Sequence, residues 1–535
     1  MTISMNVKQR SVLGDGLKRA SFRFPEKAAF IYYSAKGDKI TYTFQQLNEK
    51  VNQLSSSLRN VGVKKGDRIA VISRNCPEMV ILSYALLKIG AWITPLNFML
   101  KPQEISQLIH FSQARMFFVE GQNLEGVLSI EKELFNVEKF VCFRAPEVPE
   151  GWVEFNQLVN GDRSEVEVEL DDEDVAALFY TSGTESLPKG VMVTHRNFLH
   201  SNYAYLAAGL FQPEDRLLLV LPLIHMAGFT FMMNSHMVGL TIVMTEIPIP
   251  SQMAMLVEKH RLTFTALPPT LYLGVLNENT SGEYDFSSLK KLITWSSTIP
   301  KAMVDGWNKL APIAKFFTIQ GSSETTASPL TGGWFKTWAD VPNGDGRYVG
   351  KVTHTGSEIR LVDEFGNEVP DGVPGEQVAR GPVVVNGYFN NEEGNAKAFQ
   401  NGWYHTGDVL IRDKEGNYYF ADRKKDIVKS GGENVSSQEI ENVLSQHPEI
   451  QQCAVFGVPD LRWGEAVTAA VVVKTGSSLT KDDIIGFCRG HLSGYKIPKH
   501  IVFRSSLPTT SAGKLLKRAL KEEYKSLLQD VNKFS

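Results

Sequence analysis

The sequence predicts an α/β protein: a large N-terminal domain of two α/β subdomains plus a small β-barrel, followed by a small mobile α+β C-terminal domain. Three observations lead there. Between Ile69 and Phe118, apolar runs rich in Val, Ile and Leu alternate with helix-like segments, as Ile69–Ile72, Glu78–Ile89, Trp92–Pro95 and Glu104–Phe111. This is the rhythm of a parallel sheet with crossover helices. The pattern recurs at 176–180, 195–208, 216–222, 241–244, 253–260 and 263–266, which predicts a second α/β unit. After about Gly350 the texture changes to short strands, Glu358–Val362, Glu376–Ala379 and Tyr418–Phe420, separated by Asp-Glu-Phe-Gly and Asp-Lys-Glu-Gly turns. Such turns predict the small antiparallel barrel. The expected boundary falls between 1–422 and 423–535. The last unit carries a helix (Ser437–Gln446), strands (Cys453–Gly457, Ala466–Val473), a second helix (Lys481–Leu492) and a basic tail.

At 535 residues the chain exceeds a single core, so two or more domains are expected. Charged residues are 21%, hydrophobic ones 43% and the formal net charge is -3, which argues against disorder and leaves no basic field for nucleic acid. The four cysteines, Cys76, Cys142, Cys453 and Cys488, lie far apart without metal-site spacing and are expected as reduced thiols of a cytoplasmic protein. No apolar stretch has membrane-spanning length, and Leu218–Met226 reads as a buried strand leading into a loop.

Chemistry concentrates in Thr181-Ser-Gly-Thr-Glu-Ser-Leu-Pro-Lys-Gly190. Backbone N–H groups freed by Gly183 and Gly190, with the hydroxyls of Thr181, Ser182 and Thr184, suit phosphate oxygens, and Lys189 supplies positive charge. The loop is not a Walker A, since Pro188 precedes the lysine and Val191 follows Gly190. Further segments join charge to small residues: Gln320-Gly-Ser-Ser-Glu-Thr325, Gly402-Trp-Tyr-His-Thr-Gly-Asp408 and Asp422-Arg-Lys-Lys-Asp-Ile-Val-Lys-Ser-Gly-Gly-Glu-Asn434.

Taken in order with Pro508-Thr-Thr-Ser-Ala-Gly-Lys-Leu-Leu-Lys517, these segments resemble the adenylate-forming superfamily of acyl- and aryl-CoA synthetases along nearly the whole chain. The resemblance implies an enzyme that joins a carboxylic acid to ATP as acyl-AMP with pyrophosphate release, then passes the acyl group to CoA. ATP, Mg2+ and CoA are the implied cofactors. A carrier-protein phosphopantetheine or an amine is the alternative acceptor, and a homodimer the expected assembly. By the same resemblance Thr181, Ser182, Gly183, Thr184 and Lys189 hold the β and γ phosphates. Gln320, Gly321, Ser322 and Ser323 line the nucleotide, and Glu324 with Thr184 binds magnesium, which needs few protein carboxylates. Asp408 accepts from the ribose hydroxyls with Arg423 beside it. Lys514 neutralises charge as the mixed anhydride forms, Lys425 matches the hinge about which the small domain rotates, and Gly431 and Gly432 admit the pantetheine thiol.

The implied acyl pocket involves His225, Ala227, Gly228, Phe229, Trp295 and Ser296. His225 is read as positioning the carboxylate, not as a proton shuttle, because carboxylic acids are already ionised at neutral pH. Its apolar neighbours favour a fatty acid of medium to long chain, or an aryl acid, over an amino acid. Two departures stand out. Gln320 replaces the family's aromatic residue on adenine, and Trp295-Ser-Ser-Thr298 replaces its small-residue run. An indole there is expected to shorten or flatten the cavity, favouring medium-chain or aryl acids.

Overall fold

The structure, a computed structural model, describes residues 11–181, 188–279, 282–295, 298–353, 356–430, 433–460, 462–509 and 515–531. The chain divides into two compact units. The first comprises Met1–Gly344, Val349–Ile359 and Ala379–Tyr404, the second Asp345–Tyr348, Arg360–Val378 and His405–Ser535.

The first unit holds the two expected α/β assemblies. One is a 7-stranded sheet in the order Val153–Glu154, Lys139–Phe143, Met116–Glu120, Arg68–Ile72, Trp92–Leu96, Val175–Thr181, Lys189–Thr194. Its pairings are parallel except the last, which is an antiparallel hairpin. The other runs through Lys315–Gln320, Lys291–Thr294, Phe264–Ala266, Arg216–Leu219, Thr241–Thr245 and Ala28–Tyr33, all parallel, with Lys39–Thr43 antiparallel at the edge. The helices Pro77–Ile89 and Met226–Val238 are apolar nearly all round and are buried nearly all round, as helices inside a large core must be. The first starts cleanly because the Cys76 side chain accepts from Met79 N–H and Pro77 takes the first turn.

His236 is fully buried in this core. Its Nε2 donates to the Ala29 carbonyl at 3.2 Å and its Nδ1 lies 2.9 Å from the Tyr84 hydroxyl, an arrangement that suits the neutral ring. Burial pushes its pKa down to about 4. Between the unfolded value of about 6.5 and the folded value, the unfolded chain binds more protons, so the contribution is complete above the former and lost as pH falls toward the latter. The shift is worth about 3 kcal/mol at most. His236→Gln is expected to shrink the acid-induced fall in unfolding midpoint over that window, and an unchanged pH slope would refute the assignment.

Farther along the chain, Glu358–Val362, Gly375–Arg380, Trp403–Arg412 and Tyr418–Arg423 pair in that order as an open arrangement, and no closed barrel forms among the described residues. The turn signals were nonetheless real: Gly366 and Gly416 both adopt positive φ in tight turns closed on Asp363 and Asp413. Beyond them a smaller sheet has the order Glu433–Val435, Val428–Ser430, Gly464–Val473, Ile450–Asp460, with His500–Phe503 parallel to Gly464–Val473. Along Gly464–Val473 the apolar residues are buried on both faces. Val467, Ala469 and Val471 pack with Ile440 and Ile484, whereas Ala470 and Val472 pack with Leu520. The helices Ser437–Leu444, Lys481–Arg489 and Lys517–Val531 supply these partners. Among the described residues no helix is long and apolar enough to cross a membrane.

Candidate active site

The glycine-rich loop connects two antiparallel strands, Val175–Thr181 and Lys189–Thr194, whose register sets Thr181 opposite Lys189 and Tyr180 opposite Gly190. Ser182, Gly183 and Thr184 lie outside the described residues, so the structure fixes the two ends of the loop. Lys189 Nζ sits 5.0 Å from the centre of the Tyr388 ring. The Tyr388 hydroxyl donates to Glu324 Oε1 at 2.9 Å, and Val385 N–H donates to the Glu324 carbonyl at 3.0 Å. A second backbone tie, Phe389 N–H to the Gly190 carbonyl at 2.8 Å, joins the same segments. Lys189 and Glu324, far apart in sequence, therefore meet through one tyrosine.

Glu324 is carried on a short 3₁₀ turn, Ser323–Thr325, after the strand Lys315–Gln320. Gln320 ends that strand and is buried. At Gly321 an added Cβ would lie 2.3 Å from the Ser328 carbonyl oxygen, so the turn closes only on glycine. Ser322 N–H donates to Thr325 Oγ1 at 2.9 Å. Thr326 and Ala327 then take φ of 56° and 48°, two successive non-glycine residues in the left-handed region. Each costs about 1–3 kcal/mol and persists only where its surroundings over-determine it. They do so here. Thr326 Oγ1 donates to the Val383 carbonyl at 2.8 Å, and the Ala327 carbonyl accepts from Tyr205 at 2.7 Å. The carboxylate is thus set on a stiff support. Magnesium keeps most of its waters and takes hard oxygen donors, so one oriented carboxylate fits it.

Of the residues expected around the acyl group, His225 occupies the N-cap position of the helix Met226–Val238 without a side-chain capping bond, and burial lowers its pKa, which favours the neutral ring. Ala227 is partly buried. A Cβ on Gly228 would lie 2.4 Å from the Pro222 carbonyl oxygen, which lets the helix start tightly against the preceding segment. Phe229 is fully buried in the core, 5.2 Å from Phe179 and 5.5 Å from Phe198 between ring centres. Trp295 follows the strand Lys291–Thr294 and stacks on Phe231 at 6.5 Å, with 26° between the planes. Ser296 lies outside the described residues.

In the second unit Asp408 and Arg423 stand directly opposite on paired strands as an ion pair, with Arg423 Nε 2.6 Å from Asp408 Oδ1. Asp408 N–H donates to Thr406 Oγ1 at 3.1 Å, and that hydroxyl donates to the Gln377 carbonyl at 2.8 Å. Lys425 follows in a turn where Asp426 N–H donates to the Arg423 carbonyl. Partial desolvation, with Arg423 and Lys521 adding to it, lowers the pKa of Lys425. Gly431 and Gly432 fall between the antiparallel strands Val428–Ser430 and Glu433–Val435, outside the described residues, as does Lys514.

Sequence reasoning missed Tyr388 and a feature of the second unit. Ser430, which pairs with Glu433, also pairs with Gly464. Next to it the Trp463 ring has Arg462 and Lys499 each 4.9 Å from its centre. A tryptophan between an arginine and a glycine was the available signal, and its meaning depends on Lys499, which immediately precedes the strand His500–Phe503.

Comparison with known proteins accords with this geometry. The AMP-binding enzyme family matches residues 17–389, and the AMP-binding enzyme C-terminal domain matches residues 439–514. The chain is 30% identical to a long-chain-fatty-acid–CoA ligase of Bacillus subtilis (strain 168), covering 97% of this chain and 95% of the relative. It is 32% identical to a feruloyl-CoA synthase of Amycolatopsis sp, over 90% and 94% of the two chains. Among solved structures it superposes on an anthranilate CoA ligase in complex with anthranoyl-AMP, with a TM-score of 0.87 and 26% identity over 97% and 98% of the chains. The chain belongs to the AMP-binding enzymes, on their acyl- and aryl-CoA synthetase branch.

Proposed function

We propose that this chain is an ATP-dependent acid:CoA ligase of the cytoplasm that activates a fatty or aryl acid as acyl-AMP and transfers the acyl group to CoA. The observation that carries the reading is the junction of Lys189, Tyr388 and Glu324 at the end of the glycine-rich hairpin. It sets a cation and a carboxylate beside a loop rich in N–H and hydroxyl donors, the set a metal-bound polyphosphate requires. Thr181, Ser182, Gly183, Thr184 and Lys189 bind the β and γ phosphates, with Gln320 to Ser323 along the nucleotide. Glu324, with Thr184, holds magnesium, which supplies charge neutralisation on the phosphates. Asp408 accepts from the ribose hydroxyls while Arg423 fixes the carboxylate's orientation. As the substrate carboxylate attacks the α-phosphate, charge gathers on both, and Lys514 stabilises it. His225, neutral, orients the carboxylate.

For the second step, Gly431 and Gly432 admit the thiol. Trp463, Arg462 and Lys499 form a seat for the phosphates of CoA, the indole holding the two cations against its ring. Trp463→Ala is expected to raise the KM for CoA about tenfold and leave acid-dependent pyrophosphate release unchanged. An unchanged KM would remove Trp463 from the site.

Trp295 stacked on Phe231 sets the end of the acyl cavity, which favours medium-chain or aryl acids. Trp295→Gly is expected to move the chain-length optimum upward, read as relative kcat/KM over a series of acids, and an unmoved optimum would refute it.

The test of the function is acid-dependent AMP release with ATP and magnesium, across short, medium, long-chain and aromatic acids, with and without CoA, the products weighed by mass spectrometry. An acyl-CoA supports the ligase. Acyl-AMP accumulating despite CoA points to a carrier protein or amine as acceptor, and no AMP with any acid overturns the reading.

A further inference from the structure

A run of buried polar contacts in the second unit crosses the turn that contains Lys425. Asp422, on the strand Tyr418–Arg423, is 3% exposed. Its Oδ2 accepts from Ser437 N–H at 2.6 Å, Ser437 Oγ at 2.8 Å and Gln438 N–H at 3.3 Å. It therefore satisfies the first turn of the helix Ser437–Leu444 from a neighbouring strand, where free N–H groups and the helix dipole favour a carboxylate. Ser437 Oγ in turn accepts from Lys517 Nζ at 2.6 Å, and Lys517 lies 2.8 Å from Glu441 Oε1. Desolvation works against the charge of Lys517, but Glu441 and Asp422 outweigh it and hold its pKa above the usual ammonium value. Lys517 opens the last helix, three residues after Lys514.

Ahead of the turn, the strand is fixed by other contacts. Arg423 is ion-paired with Asp408, Lys424 N–H donates to the Gly407 carbonyl at 2.9 Å, and Lys424 Nζ lies 2.8 Å from Glu376 Oε2. Beyond the turn, Ser437, Glu441 and Lys517 hold one another. Asp422 links the two groups. A rotation about Lys425 that leaves Asp422 with Asp408 and carries Ser437 away breaks all three of its contacts to the helix.

We propose that Asp422 is a positioning residue, a latch across the Lys425 turn that holds the segment bearing Lys514 in the orientation for acyl-AMP formation and releases it for thioester formation. The proposal rests on the ligase reading above. It is assigned to the first step because Asp422 adjoins Arg423, the partner of Asp408, and the helix it caps is bonded to Lys517, three residues along the chain from Lys514.

Asp422→Asn and Asp422→Ala test it in the full chain, with three readouts. These are acid-dependent pyrophosphate release, thioester formation from supplied acyl-AMP and CoA, and the rate of tryptic cleavage within Arg423–Lys425 in the absence of substrates. Losing a charge-assisted contact is expected to slow the first about tenfold, leave the second unchanged or faster, and speed cleavage about tenfold, with Asn the milder of the two. Equal slowing of both steps overturns the latch as a director of one step, and unchanged cleavage overturns it as a latch at all. If the native chain makes no acyl-AMP, the ligase reading fails and the cleavage rates alone decide the latch. Asn keeps volume and one acceptor, so it serves where Ala does not fold.

Discussion

Replacing Lys514 by alanine is expected to slow acid-dependent pyrophosphate release by about a hundredfold to a thousandfold, the scale of losing one donor aimed at developing negative charge. Thioester formation from supplied acyl-AMP should change little. The asymmetry follows from where charge appears. Attack of a carboxylate on the α-phosphate brings two anions together, and a fixed ammonium lowers that barrier. In thioester formation a thiolate attacks the acyl carbon, the bond to the phosphate oxygen breaks, and the sulfur's charge passes through the carbonyl oxygen to the departing AMP, so no second anion is driven onto the phosphorus. Lys514 stands in Ser-Ala-Gly-Lys, three residues before Lys517, which donates to Ser437 Oγ at 2.6 Å. Equal loss of both half-reactions would show that Lys514 serves the fold or both steps alike, and would refute the division of labour.

Much of the fold was legible because its signals are local. The helix expected at Glu78–Ile89 is Pro77–Ile89, and the strand expected at Trp92–Pro95 is Trp92–Leu96. In both, a buried apolar run with turn residues at its ends carries the information. Helix ends were less legible. Ser437–Gln446 stops at Leu444, and Lys481–Leu492 stops at Arg489, because the following residues close tighter hydrogen bonds that composition does not reveal. The small barrel failed for a different reason. Asp363–Gly366 and Asp413–Gly416 do form turns, but closure depends on which strands meet at long range, and turn chemistry is silent on that.

The site shows the same division. The candidates Thr181, Lys189, Glu324, Asp408 and Arg423 come from short motifs, and the structure pairs Asp408 with Arg423 and links Lys189 to Glu324. The linker, Tyr388, sits in Val-Asn-Gly-Tyr-Phe, which reads as an ordinary turn. The strained Thr326–Ala327 pair was equally hidden, since neither residue favours positive φ and the groups that hold them there, among them Ser201, Tyr205, Thr230 and Val383, come from distant segments. Asp422 was read as part of a charged segment. Its role as a cap for Ser437 arises from a strand and a helix that meet only in the folded chain.

Glu324→Gln is expected to lower kcat/KM for ATP about a hundredfold and to raise the magnesium concentration needed for half-maximal rate. Gln keeps the size and one oxygen acceptor of the side chain, so the stiff turn from Gly321 to Ala327 should survive. What it removes is the anionic oxygen a hard divalent cation prefers. A loss of rate at unchanged magnesium dependence would place the metal elsewhere and leave Glu324 as a structural partner of Tyr388. Tyr388→Phe separates the two roles. It deletes the 2.9 Å donor to Glu324 but keeps a ring beneath Lys189. The carboxylate then loses orientation without losing charge, so the rate should fall only about tenfold, by the worth of a hydrogen bond to a charged group, with a much smaller change in magnesium dependence. If Tyr388→Phe were as damaging as Glu324→Gln, the tyrosine hydroxyl itself would contact the nucleotide or its metal, and the site would be built around Tyr388 rather than supported by it.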